Sequence, residues 1–292
     1  MVRELYRAVT DGILGGGVYA LMAIGLTLIF GVLDIINIAQ GILVVLSAYF
    51  SYLLSVHLHI DLFVGLLVTV PAMFLVGVAI HWTFMRRLRG QERTSMSLLA
   101  SYAVMIIIEG LLYTSFGPNY VSLNAWYVTS SVHLLGFYLP YIYLFGFVLA
   151  VALVAGLYLM LHRTTFGRSL RATMQDQTAA RLIGIDVNRV AGLTFGIGVA
   201  VTAVGGMVYG ATSTFNPNSG YDLISRLLAI IILGGLGSIG GALAAAVLMT
   251  TIEAVVDIWS PTWAVVVFYA ALVLVLTFRP AGLFGRRAAR AQ

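Results

Sequence analysis

Apolar runs of bilayer-crossing length alternate with short arginine-bearing stretches along the whole chain, and this alternation leaves lipid as the solvent in which it folds. A hydrocarbon core about 30 Å thick takes roughly 20 residues of helix to cross. Runs of that length stand at 12–31, 35–56, 62–84, 97–116, 139–161, 190–212, 224–257 and 262–278. With 61% of 292 residues hydrophobic, 9% charged and a mean hydropathy of +1.01, one water-soluble core is excluded. The expectation is a single all-α integral membrane domain over residues 1–292, a polytopic helical bundle with about 8–10 transmembrane segments. Residues 10–33 form a retained helix rather than a cleaved signal, since the apolar run is long and lacks a small-residue cleavage site.

Two of these runs carry their own interruptions. The seventh is too long for one span and contains LGGLGSIGG at Leu233–Gly241, where five glycines and a serine weaken a helix. The second begins with Asp34, Asn37 and Gln40, flanked by Gly31 and Gly41. Broken helices are therefore expected near residues 31–41 and 233–241.

Charge sets the sidedness. There is no lysine, and of the sixteen arginines only Arg226 falls outside the termini and the segments 86–93 and 163–189. Arginine in short loops marks the cytoplasmic side. Two spans between those segments return the chain to the same face, and the tail with Arg279, Arg286, Arg287 and Arg290 shares it if 224–257 crosses twice. Three spans before Arg86 place the N-terminus outside, unless the second segment only dips into the membrane. The net charge of +5 thus reflects topology and anionic headgroups, and no basic stripe with aromatic residues supports nucleic-acid binding. With no cysteine and five scattered histidines, thiol chemistry and a metal site are not expected.

The hydrophilic insert 162–189, HRTTFGRSLRATMQDQTAARLIGIDVNR, carries five arginines between two spans. An amphipathic helix pair is expected over Gly167–Ile185, with Leu170, Met174, Ala179, Leu182 and Ile183 inward, Arg171, Asp176, Gln177 and Arg181 outward, and Gly184 ending the helix. It reads either as a coupling loop docking into a groove on a cytoplasmic motor subunit or as an interfacial helix held on lipid phosphates.

The string GRSLRATMQDQTAARLIGIDVNRV resembles the coupling region of the branched-chain amino-acid ABC transporter permease family. The resemblance extends in order through GLTLIFGVLDIINIAQG at Gly25–Gly41, AIIILGGLGSIGGALAAA at Ala229–Ala246 and FRPAGLFG at Phe278–Gly285. Gln40 stands where many relatives carry histidine, Gly240 where many carry proline, and Thr178 where the coupling motif usually has an acid. The resemblance implies one permease of an importer in a bacterial-type inner membrane, paired with a homologous permease, two ATP-binding cassette subunits and an extracytoplasmic solute-binding protein. It implies no cofactor on this chain, with ATP and Mg used by the partner subunit. The absence of GxxxxGK[ST] agrees. Docking of the ATPase is expected to rest on Ala179, Ala180, Leu182, Gly184 and the flanking Arg171 and Arg181.

Asp34, Asn37, Gln40 and Gly41 are candidates to line the translocation path; the same side chains would also serve simply to satisfy an unwound backbone, with Asp34 capping the second helix. Glu109, deep in the fourth span, is a further path candidate. Gly234, Gly235, Gly237, Gly240 and Gly241 are expected to pack or hinge. Asp222 and Arg226, four apart, are expected to form a salt bridge, and Glu253 and Asp257 to lie near an outer end. Cargo stays open at this level between branched-chain or other hydrophobic amino acids, urea, short amides and aromatic amino acids. A stand-alone ion-coupled transporter using Glu109 and Glu253 is the rival function, and a membrane enzyme lacks any convergent set of catalytic groups.

Overall fold

The computed structural model describes residues 2–88, 93–134 and 137–285; Arg89, Arg286, Arg287 and Arg290, part of the orientation argument, lie outside them. The elements run α1 (Val2–Leu33), α2 (Gln40–Leu58), α3 (Leu62–Thr83), α4 (Arg93–Phe116), α5 (Trp126–Thr129), β1 (Ser131–Leu134), β2 (Phe137–Pro140), α6 (Tyr141–Arg163), α7 (Thr165–Gln175), α8 (Gln177–Leu182), α9 (Val187–Thr212), α10 (Ser219–Gly234), α11 (Ile239–Asp257) and α12 (Pro261–Phe278). Among the described residues 8 helices are long and apolar enough to cross a membrane. The long apolar run over 224–257 is two helices, α10 and α11, separated at the glycines. They form an antiparallel pair, because Gly234 touches Gly241 while Arg226 reaches Glu253.

The bundle is built around α9. Of its most apolar window 89% is buried, against 11% for α12, so α9 is wrapped by protein while α12 is left to the surroundings. Small residues make this possible, since backbones approach closely only where no side chain intervenes. Gly198 meets Gly25 of α1, Gly206 meets Val44 and Ser47 of α2, and Gly196 meets Phe74 and Val78 of α3. These glycines of α9 therefore serve contacts inside the chain.

A second close seam joins α1 to α11. A Cβ on Gly12 would lie 2.5 Å from the Thr251 Cα, and one on Gly16 2.5 Å from the Val247 Cα, while Gly31 faces Gly237 at the other end. The Thr250 hydroxyl donates to the Gly12 carbonyl at 2.7 Å across this seam. The two helices run antiparallel, so the N-terminal end of α1 lies on the face opposite the 163–189 loop. After α1 the chain leads back across the bundle, from Asp34 beside α7 to Asp61 beside Tyr127 on the opposite face.

Arg226 does not pair with Asp222 four residues away. Its guanidinium instead grips Glu253 through both carboxylate oxygens at 2.8 and 2.7 Å, with the Tyr19 and Phe268 rings 5.8 and 5.4 Å from its centre. A half-buried arginine gains more from a part-buried carboxylate that takes its Nη1 on both oxygens than from an exposed neighbour on its own helix. The pair ties α10 to α11 beside α1 and α12.

On the face opposite the arginines, residues 117–134 and 137–140 fold as a deck. Val121 bridges Phe215, the Leu123 amide donates to the Gly210 carbonyl at 2.8 Å, and β1 and β2 pair antiparallel with Ser131 opposite Pro140. Asp61 ties the deck to the bundle: one oxygen caps α3 through the Phe63 amide and the other accepts the Tyr127 hydroxyl at 2.9 Å. Burial first, and then this carboxylate, push the Tyr127 phenol above its ordinary pKa, which keeps it the donor of this bond.

Candidate functional site

Between α1 and α2 the backbone is unwound over residues 34–37. Asn37 and Gln40 are fully buried; Asn37 Nδ2 donates to Gln40 Oε1 at 3.1 Å, and Gln40 Nε2 donates to the Thr202 hydroxyl of α9. Ser101 of α4 accepts the Ile38 amide at 3.1 Å, and Thr94 donates to the Asp34 carbonyl at 3.4 Å. These polar side chains hold the break together from inside the protomer. Gly41 is buried against the Gly220 carbonyl of α10, where a Cβ would collide.

Asp34 departs from this set. It is exposed, at φ 53°, and does not cap α2, whose N-cap is Ala39 without a side-chain bond. Its conformation ends α1 in the left-handed region, which Asp tolerates better than most residues. Asp34, Asn37, Gln40 and Gly41 therefore do not converge on one accessible surface. Asp34 instead borders an open cavity of about 1510 Å³ with Phe30, Val154, Met174, Leu236 and Phe284. This cavity lies on the arginine-rich face, between the ends of α1 and α6 and beside α7.

The second break is held by backbone. Gly235 and Gly237 sit at φ 94° and 83°, a region closed to most side chains, and Ser238 caps α11 by accepting the Gly241 amide at 3.1 Å. The last turn of α10 would leave carbonyls without partners. They find them in the tail: the Leu283 amide donates to the Leu233 carbonyl at 2.7 Å and the Phe284 amide to the Gly234 carbonyl at 3.3 Å. Gly234, Gly235 and Gly241 are thus close-contact positions. Gly240 is not; it is exposed with open space around it.

Beyond α6, the chain turns back at Gly167, which lies against the Met160 and Leu161 carbonyls. Asp176 separates α7 from α8 and caps α8 by accepting the Thr178 and Ala179 amides at 2.7 and 3.1 Å. At the end of α8 the Gly184 amide bonds the Arg181 carbonyl at 3.0 Å and the Ile185 amide bonds the Ala180 carbonyl at 3.0 Å, with Gly184 at φ 85°. This double bond is a Schellman termination, which needs glycine at that position. Leu170 and Ala180 face inward, whereas Met174, Ala179, Arg181, Leu182 and Ile183 are exposed, Leu182 at 84% and Ile183 at 74%, and Arg171 is half-buried. The inward packing expected of Met174, Ala179, Leu182 and Ile183 is corrected accordingly. Two short helices bury only a narrow stripe, and Gly167, Leu170, Thr173 and Ala180 are the residues that occupy it.

Of the two acids of the rival ion-coupled reading, Glu253 is bound to Arg226 and Glu109 accepts the Tyr221 hydroxyl at 2.8 Å. Thr202, Ser101 and Tyr221 escaped sequence reasoning because single hydroxyls in apolar helices carry no pattern. Arg226 was the visible exception, and only its partner was misassigned.

Residues 8–276 match the family described as branched-chain amino acid transport system, permease component. The chain belongs to that family. It is 30% identical to the high-affinity branched-chain amino acid transport system permease protein BraD of Pseudomonas aeruginosa, with 97% of each chain covered. The permease is likewise 30% identical to LivH of Escherichia coli over 94% of each chain, and 27% identical to a probable LivH of Methanocaldococcus jannaschii over 76% of this chain and 72% of that one. Among solved structures, PsaBC of Streptococcus pneumoniae in complex with Fab aligns over 97% of each chain at 14% identity and a TM-score of 0.49. The fold is that of a multi-pass helical membrane protein.

Proposed function

We propose that this permease is one of two membrane subunits of an ATP-driven importer in a bacterial-type inner membrane, and that its cargo is branched-chain or other hydrophobic amino acids. Two ATP-hydrolysing subunits supply the energy from the cytoplasm, and a solute-binding protein delivers cargo to the 117–140 deck. One observation carries this reading beyond family membership: the α7–α8 platform presents Leu182 and Ile183 outward on a helix whose start and end are both locked by hydrogen bonds. A rigid, exposed apolar knob between arginines is built to enter a groove on another protein. Ala180 and Gly184 serve this knob indirectly, one by filling its underside and the other by closing its last turn. Motion of the platform reaches the pathway through Gly31, which lies between Met174 of α7 and Gly237 of the second break.

The test is purification in mild detergent from native membranes, with an ATPase assay on the complex. An ATP-hydrolysing subunit and a second permease are expected to co-purify, and Leu182→Glu is expected to release the ATPase while leaving the permease in the membrane. A homo-oligomer without ATPase activity, or an ATPase retained by Leu182→Glu together with Ile183→Glu, would overturn the assignment.

A further inference from the structure

Three outward helix faces differ in what they offer the surroundings. That of α3 shows Leu67, Val68 and Leu75, and that of α12 shows Val265, Val273 and Leu274, side chains at home in acyl chains. The outward stripe of α4 runs Tyr102, Ile106, Glu109, Tyr113, and so places a carboxylate seven residues, about 10 Å, inside the end of the helix at Phe116. An ionised carboxylate facing hydrocarbon would cost roughly 3 kcal/mol or more, so this face of α4, unlike those of α3 and α12, is not one turned to acyl chains. Among the described residues no cation lies within ion-pair distance of Glu109, and Arg226, the arginine within the apolar runs, is already engaged by Glu253. Yet Glu109 is held in place: Tyr221, in the first turn of α10, donates to Oε2, and among the described residues Oε1 has no hydrogen-bond donor. The carboxylate is oriented, half exposed and lacks a positive partner.

We infer that Glu109 and Tyr221 form a cargo-binding site that takes the ammonium group of an amino acid as it passes along the outward face of α4, with Tyr102 and Ile106 offering contact to its apolar side chain. This deepens the permease reading and rests on it. An ammonium is the complement a lone carboxylate lacks, and one such contact is strong enough to admit a zwitterion and weak enough to release it. Tyr221 is a positioning residue, since it fixes the carboxylate without carrying charge.

The site is tested in the complete transporter, reconstituted with its partner subunits in proteoliposomes and assayed for leucine uptake. Glu109→Gln keeps the shape and the bond to Tyr221 but removes the charge, and is expected to lower uptake about tenfold, with recovery of the partner subunits unchanged. Tyr221→Phe keeps the charge, and is expected to lower uptake about threefold or less. Wild-type uptake in Glu109→Gln overturns the site. Loss of the second permease from the purified Glu109→Gln complex also overturns it, by showing that the carboxylate pairs with a cation of that subunit. So does a Tyr221→Phe defect as large as that of Glu109→Gln, which marks the pair as a strut. If the unsubstituted transporter shows no ATP-dependent leucine uptake, the permease reading itself fails and takes the site with it.

Discussion

Between α1 and α2 the unwound backbone is held by side chains that reach in from α4 and α9, whereas between α10 and α11 it is held by main-chain amides lent by the C-terminal tail. Both breaks leave polar groups that a bilayer cannot satisfy, so both need partners within the protein. The first uses residue identity: Gln40 reaches Thr202, and Ser101 takes the Ile38 amide. The second uses conformation, with glycines at positive φ admitting a strand of tail that almost any sequence could donate. A side-chain clamp is specific but replaceable one bond at a time. A backbone clamp tolerates changes of side chain but not of glycine.

The sharpest break of this contrast is Gly235→Val. Its φ of 94° and its contact with Gly285 leave no room for a branched side chain, so strain and overlap together are expected to cost about 3 kcal/mol or more, read as loss of a monodisperse peak in detergent. Next is Gln40→Leu, which strands the buried Asn37 amide while Thr202 keeps its bond to the Gly198 carbonyl; a loss of about 1–3 kcal/mol is expected in thermal unfolding. Leu283→Pro removes one donor to the α10 carbonyls, for about 1 kcal/mol, while Leu283→Ala keeps that amide and is expected to cost less. If the two Leu283 variants behave alike, the tail is held by its side chains and the contrast collapses. Asp34→Gly is the smallest effect, a gain of up to about 1 kcal/mol from relief of the left-handed residue. In double-mutant cycles, Gln40 with Ser101 should couple, while either with Leu283 should add within about 0.5 kcal/mol.

The membrane class, the spans and both breaks were legible because lipid imposes a length on every crossing and glycine and amide side chains stand out in apolar runs. Gly184 as a helix terminator was legible for the same reason: only glycine suits that turn. The contents of the breaks were not. Asp34 looked like a cap because acids cap helices, but α2 starts six residues beyond it, at Gln40, out of reach. Asn37 and Gln40 could be read either as a pathway lining or as support for the unwound backbone; the contacts the structure shows are of the second kind, and their partner Thr202 sits in a different span. Pairing between distant helices also decided Arg226 and Glu109, whose partners lie 27 and 112 residues away. The platform's polarity was misjudged at Leu182 and Ile183 because an amphipathic pattern names two faces without saying which is covered.

The seam between α1 and α11 has a consequence for how the chain is made. The glycine face of α1, Gly12 and Gly16, packs on Val247 and Thr251 of α11, which are synthesised more than 200 residues later. At translation rates of about 5–20 residues per second, that face waits in the membrane for more than about ten seconds before its partner arrives. Its temporary neighbours are lipids or whatever protein attends insertion, so a substitution at Gly12 or Gly16 is felt at the moment the last third of the chain closes over the first.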